Sequence, residues 1–278
     1  MKKISRRSFM AAAAVSVAAL ALTACGGSAS SAASSVASSA ASSEAASSAA
    51  AAELTTVEAG KLTMATNAAF PPYEMTTDAG EFEGIDVDTA KAIAEKLGLE
   101  LQIDDMDFDA ALLSVQQGKA DIVMAGVTVT DERKAVMDFS DSYATGIQSI
   151  IVPEGSDIAS PDDLAGKTIG TQRGTTGYIY CSDDFGDENV VAYDDGLTAV
   201  QALNNGQVDA VVIDNAPAQE FVAANPGLKV LDTSYAEEDY AIGMAKGSAL
   251  EDAVNKALEE LKADGTLQSI VDKYINAN

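Results

Sequence analysis

From Leu54 onward, short apolar runs alternate with stretches in which apolar residues recur every three or four positions. Brief runs bounded by Gly, Pro, Asn and Asp read as strands, and 3.6-residue periodicity reads as amphipathic helix. The alternation therefore predicts an α/β protein built on sheets. Strands are expected at 61–66, 99–103, 121–124, 147–152, 168–171, 190–193, 210–214, 229–231 and 240–244. After Gly84, the residues Val87, Ala90, Ile93, Ala94 and Leu97 share one helical face, and Gly98 supplies a stop. Ser160 followed by Pro161 has the form of a helix cap and first helical residue. Near the end, Leu250, Val254, Ala257, Leu258 and Leu261 form one stripe; Leu267, Ile270, Val271 and Tyr274 form another after Gly265. Such stripes are buried faces. About 225 residues of this kind suffice for two small cores. A break falls at Val152-Pro153-Glu154-Gly155. Periodicity does not show whether the chain later returns to the first core.

The first 53 residues follow neither period. A basic opening, MKKISRRSF, precedes an apolar run from Met10 to Leu22. That run is shorter than the roughly 20 residues a bilayer-spanning helix needs, so it reads as a signal peptide. Its ending, Leu22-Thr23-Ala24-Cys25, resembles a bacterial lipobox, which implies a leader of residues 1–24 and diacylation of Cys25. Ser5-Arg6-Arg7-Ser8-Phe9 fits a twin-arginine export signal as well as an ordinary basic n-region, and both routes stay open. Residues 26 to 53 are almost entirely Ala and Ser and read as a tether. As a coil it would span about 30 Å; an Ala-rich helix is the alternative.

Charge narrows the partners. The chain has 43 acidic and 17 basic residues, and no Lys or Arg cluster outside the leader, so no nucleic-acid partner is expected. Loss of Lys2, Lys3, Arg6 and Arg7 with the leader leaves 13 bases against 43 acids, a net charge of −30. The absence of histidine removes His general bases, Ser-His-Asp triads and His-ligated metals, and two cysteines are too few for a thiolate zinc site. No metal, no cofactor and no enzymatic activity are expected. The acidic run Asp104, Asp105, Asp107, Asp109 lacks the Gly and terminal Glu of an EF-hand loop and reads as a solvated cluster. Cys181 reads as a structural thiol without a disulfide partner.

Chemistry concentrates in a few segments. In AGVTVTDER (125–133), the backbone N–H groups of Val127 and Thr128, the Thr128 hydroxyl and the Arg133 fork can converge on one small carboxylate. Arg133 equally fits a surface ion pair with Asp131, Glu132 or Asp138. Asp214 closes the apolar strand Ala210 to Ile213, either to accept a cation or to cap the helix that follows. Phe70 and Phe108 fit a pocket wall or a core.

Six segments in this order and spacing carry a wider likeness: NAAFPPYE (67–74), GIDVDTAKAIAEKLG (84–98), MDFDA (106–110), AGVTVTDER (125–133), GTQRGTTG (170–177) and DAVVIDNAP (209–217). Together they resemble the solute-binding proteins of polar amino acid ABC importers, across essentially all of residues 60 to 278. The resemblance implies a two-lobe, type II periplasmic-binding fold. One lobe would comprise 58–150 plus 241–278 and the other 151–240, joined by two hinge strands, after a lipidated Cys25 and tether (25–57). It also implies that Arg133 and Thr128 hold a ligand carboxylate, that Asp214 and the backbone of Gly126, beside Ala125, take its ammonium, and that Phe70 and Phe108 sandwich its side chain. Thr175 would lie in the second-lobe loop that closes over the carboxylate, with Asn67, Tyr73 and Gln172 meeting the side chain. Many relatives that bind cationic amino acids carry Asp at the place of Asn67, so a neutral or polar ligand is favoured, although Arg173 would suit an acidic one. The implied partners are a free amino acid, an ABC permease and, through the lipid anchor, the outer face of a bacterial cell membrane, with the protein acting as a monomer. A cyclohexadienyl dehydratase-like enzyme on the same scaffold, and a ligand-sensing module, are the alternatives.

Overall fold

The computed structural model describes residues 54–275, all within one compact unit that runs from Ala50 to Asn278. The leader, Cys25 and the Ala/Ser tether lie outside the described residues. The chain opens with β1 (Lys61–Thr66), β2 (Ala69–Phe70), β3 (Glu74–Thr76), β4 (Phe82–Glu83), helix α1 (Ile85–Leu97), β5 (Glu100–Asp105) and α2 (Phe108–Gln116). There follow β6 (Ile122–Val123), α3 (Asp131–Val136), β7 (Met137–Phe139) and the long β8 (Ala144–Pro153). Next come β9 (Ile169–Gln172), α4 (Thr176–Phe185), β10 (Val190–Tyr193), α5 (Gly196–Asn204), β11 (Ala210–Asp214) and α6 (Asn215–Ala224). The last elements are β12 (Leu228–Val230), β13 (Ala236–Tyr240), β14 (Gly243–Ala245), α7 (Glu251–Ala263) and α8 (Thr266–Tyr274).

These strands form two main sheets. The first has the order β5-β1-β6-β14-β7, with β1 parallel to β5 and β6, and β14 antiparallel to β6 and β7. The second has the order β10-β9-β11-β8-β12, and β13 also pairs with β8. The chain thus passes from the first sheet to the second between β7 and β8, and returns between β13 and β14. The expected strand at 240–244 is therefore two strands, because the chain changes sheets between Tyr240 and Gly243. A small antiparallel sheet, β2-β3-β4, was not expected; its strands are too short to show a period. Ser160 and Pro161 open only a 3₁₀ turn, Pro161–Leu164, in which the Asp163 carboxylate accepts the N–H of Ser160 at 3.0 Å and of Ala159 at 3.1 Å.

Burial follows the expected pattern. In β11, Ala210 and Val212 face one core and Val211 and Ile213 another, as a central strand covered by helices on both sides requires. The stripe Val254, Ala257, Leu258 and Leu261 of α7 is buried, and Leu267 anchors α8. Cys181 is a free, buried thiol in α4, where burial pushes its pKa up to about 12. Among the described residues, no helix is long and apolar enough to cross a membrane.

Candidate functional site

In open α/β sheets, the segments just past the carboxyl ends of parallel strands converge on one crevice. Here Asn67 follows β1, Ala125 and Gly126 follow β6, Thr175 follows β9, and Gln172 and Asp214 end β9 and β11. They meet in a narrow cavity, part of it open to solvent, whose walls also include Phe70, Phe108, Thr128 and Arg133. Of the side chains expected at the ligand, Arg173 pairs with Asp194 (3.5 Å) away from this wall, and Tyr73 also stays off it. Tyr73 is buried behind it, its ring stacked on Phe70 (centroids 5.9 Å apart) and edge-on to Tyr240 (5.4 Å).

Arg133 is buried at 9% exposure in the short helix α3, whose Thr130 cap receives the Arg133 N–H at 3.2 Å. A surface ion pair is not what it makes. Asp138, one candidate partner, pairs instead with Lys246 at 2.6 Å. The two terminal nitrogens of Arg133 donate to the carbonyls of Thr128 (2.7 Å) and Gly174 (3.1 Å), one beside each sheet, and the guanidinium carbon lies 5.4 Å from the centroid of the Phe108 ring. Burial lowers its pKa, while Glu238, Tyr180 and Asp109 oppose the shift, so the guanidinium remains the fixed cation of the cavity.

Asp214 stands at the cap position of α6 but makes no capping bond; its carboxylate instead receives the Tyr240 hydroxyl and the Gln148 amide, the latter at 2.7 Å. Burial, opposed by the Tyr240 bond and reinforced by Glu238, raises its pKa to about 7. Asn67 and Gln172 join the two sheets through an amide contact of 2.9 Å, and Asn67 also donates to the carbonyl of Met106 at 3.0 Å. The Thr175 hydroxyl donates to the Gln172 carbonyl (2.8 Å) and accepts the Tyr178 N–H (3.3 Å), which fixes the first turn of α4.

Two wall residues escaped the sequence reading. Thr176 sits beside Thr175 at the start of α4. Glu74 begins β3 opposite Phe70, is only 1% exposed, and lies close enough to Asp86 for the two carboxyls to share a proton. Burial, then neighbouring Asp86, holds its pKa well above the usual carboxylate range. Asp86, in the first turn of α1, accepts the Gly126 N–H at 3.0 Å and the Tyr143 hydroxyl at 2.7 Å, and burial raises it to about 6. An acid between Tyr73 and Met75 was a signal available in the sequence, because an acid in an apolar run is rarely buried without a purpose.

This arrangement presents one buried cation and several buried acceptors to a small molecule. Among the described residues no group of His, Cys, Asp and Glu is placed to hold a metal ion. Residues 62–277 match the family described as bacterial extracellular solute-binding proteins, family 3. A probable histidine-binding protein of Neisseria gonorrhoeae is 34% identical over 272 residues, 95% of this chain and 94% of that protein. The L-cystine-binding protein TcyJ of Escherichia coli is 33% identical over 226 residues, 80% of this chain and 85% of its own length. Among solved structures, the arginine-, lysine-, histidine-binding protein ArtJ of Geobacillus stearothermophilus is 35% identical. It superposes with a TM-score of 0.75 over 78% of this chain and 96% of ArtJ.

Proposed function

The chain belongs to the bacterial extracellular solute-binding proteins of family 3, and on that premise we propose that it captures a free amino acid with a cationic side chain for an ABC importer. Its fold is the two-lobe, type II arrangement of that family, one lobe around each main sheet. The similar proteins named above are binding proteins, not enzymes. The observation that carries the reading is the set of three buried ionisable side chains, Arg133, Asp214 and Glu74, on one small cavity. Arg133 matches an α-carboxylate and Asp214 an α-ammonium, so that each end of a zwitterion exchanges hydration for an opposite charge. Glu74 is then in excess. Burial beside Asp86 keeps this carboxyl neutral, and a guanidinium or ammonium seated against it, beside the face of Phe70, would supply the opposite charge that lets it ionise. The preference for a neutral or polar side chain rested on Asn67; Asn67 is engaged with Gln172 and Met106, and beside Asp214 the cavity carries a second acid, Glu74. The names of similar proteins include arginine, lysine and histidine binders, which support this choice, and an L-cystine binder, which does not.

The lobes would close around the ligand by hinge motion at the two crossings, and the closed form would dock on the permease. Export under the leader and diacylation of Cys25 would hold the monomer at the outer face of the membrane, with residues 26–53 as tether. Calorimetry of the purified protein against the common amino acids tests the ligand class. Arginine, lysine or histidine should bind, and Glu74→Gln should reduce the preference for that ligand over glutamine by about tenfold or more. Binding confined to neutral or acidic amino acids would overturn the cationic assignment, and binding of none would overturn the function.

A further inference from the structure

Glu238 lies in β13, in register with Gly146 of β8, at 6% exposure and outside every role assigned above. Its Oε2 accepts the hydroxyls of Thr176 (2.9 Å) and Thr128 (3.1 Å) and the amide of Gln148 (3.0 Å), while Oε1 is buried without a donor. Thr128 belongs to the loop after β6 in the first lobe; Thr176 opens α4 in the second. The backbone ties the first of these to the crossing itself, since Val129 N–H donates to the Asp239 carbonyl at 3.0 Å and Ala241 N–H to the Val127 carbonyl at 3.1 Å. Both threonines line the cavity, with their hydroxyl oxygens 3.4 Å apart.

Two consequences follow from donor counting. A threonine hydroxyl has one proton, and each of these gives it to Glu238, so what the pair offers the cavity is lone pairs. Lone pairs repel a carboxylate and attract an ammonium, so the Thr128 hydroxyl moves from the carboxylate side, where the resemblance put it, to the side of Asp214, with Thr176 beside it. The Gln148 amide also donates to Asp214, so the acceptor side is wired as one network. Second, one oxygen can hold both hydroxyls only while the threonines of the two lobes stand this close. We propose that Glu238 is a positioning residue at the pivot. It turns the Thr128 and Thr176 hydroxyls into acceptors for the ligand's α-ammonium and holds the cleft shut around it. The inference rests on the amino acid reading above.

A contact made only in the closed state acts on release rather than on encounter. Stopped-flow fluorescence of the full chain with L-arginine, L-histidine and L-glutamine as probes therefore separates the possibilities. For whichever probe binds the wild type, Glu238→Ala should raise koff by about tenfold while kon changes less than about threefold. Glu238→Gln, which keeps an acceptor for the hydroxyls, should recover most of the loss. Thr176→Val keeps the shape and removes the donor. It should raise koff in the wild type and have little further effect in Glu238→Ala, a non-additivity that a merely structural role would not produce. Should Glu238→Ala fail to fold, the same cycle run with Glu238→Met, which keeps the volume and removes the acceptor, decides the question. Wild-type koff in Glu238→Ala, or strict additivity in the cycle, overturns the proposal while the amino acid reading stands. A wild type that binds none of the three probes sinks both.

Discussion

Arg133 reaches the carbonyls of Thr128 and Gly174 with its two terminal nitrogens, and lysine, a point charge, cannot span both. Arg133→Lys should therefore keep the charge yet lose closure, and Arg133→Ala should lose both. The expected weakening is about tenfold to a hundredfold or more, from a charge-assisted contact of about 1.5–3 kcal/mol. Calorimetric titration reads it directly; affinity unchanged in Arg133→Ala would exclude a carboxylate contact there. Asp214 makes a prediction in pH. Its pKa is raised to about 7 in the folded protein, as that of Asp86 is raised to about 6. A carboxyl raised in this way stabilises the fold fully only below the ordinary carboxylate range, and the contribution is lost as pH climbs through 6 and 7. The protein without amino acid should melt higher at pH 5 than at pH 8. The ammonium of the ligand needs Asp214 ionised, so the ligand-induced rise in Tm should be larger at pH 8 than at pH 5. Asp214→Asn, uncharged throughout, should flatten both trends; equal ligand-induced shifts at the two pH values in the wild type would rule the assignment out.

At the scale of elements, the turn between β9 and α4 brings the second lobe against Arg133 and Asp109 of the first. Gly174 has φ +74, a region L side chains rarely adopt, and a Cβ there would fall on the Asp109 carboxylate of α2. Because exposed Asp109 can turn aside, Gly174→Ala should act through the strain of the left-handed backbone, about 1 kcal/mol, and weaken ligand binding by about fivefold while each lobe keeps its core. Circular dichroism and titration check the two halves of that statement. The same scale shows what could be foreseen. Helix α1, strand β11 and the stripe on α7 were legible because burial sets their period. Arg133 and Asp214 were visible as charges among apolar and small residues, but the residues alone left each open between a ligand contact and an ion pair or cap, and only the family resemblance gave them roles. Strand β13 was not, since Ala236 to Tyr240 reads AEEDY and the inward place at its middle is filled by Glu238 instead of an apolar residue. An acid placed inward breaks the alternation that identifies a strand, so the functional residue concealed its own element. Glu74 was passed over for a related reason. Its strand is three residues long, and whether an acid after Phe70-Pro71-Pro72-Tyr73 is buried depends on β2 and β4 folding over it.

For the whole molecule, the contacts between the lobes converge on the cavity: Asn67 with Gln172, Arg133 with Gly174, Thr128 with Thr176. Away from the ligand, little besides the two crossing strands is needed to join them, and the chain's acids outnumber its bases 43 to 17, which favours separation. An amino acid that touches both walls therefore binds the closed form and leaves the open form behind. Mass action then fixes the size of the effect. At a free amino acid concentration 1,000 times Kd, the folded state gains about 4.1 kcal/mol. For a folded unit of about 150–250 residues each kcal/mol raises Tm by roughly 2–4 °C, so the expected rise is on the order of 10 °C. The same saturating concentration should shrink the radius of gyration in solution scattering, because closure brings the two cores together. A full thermal shift with no change in radius would mean that the lobes are already shut before the ligand arrives. Conformational closure would then have to be removed from the mechanism, and with it the idea that the permease distinguishes loaded from empty protein by shape.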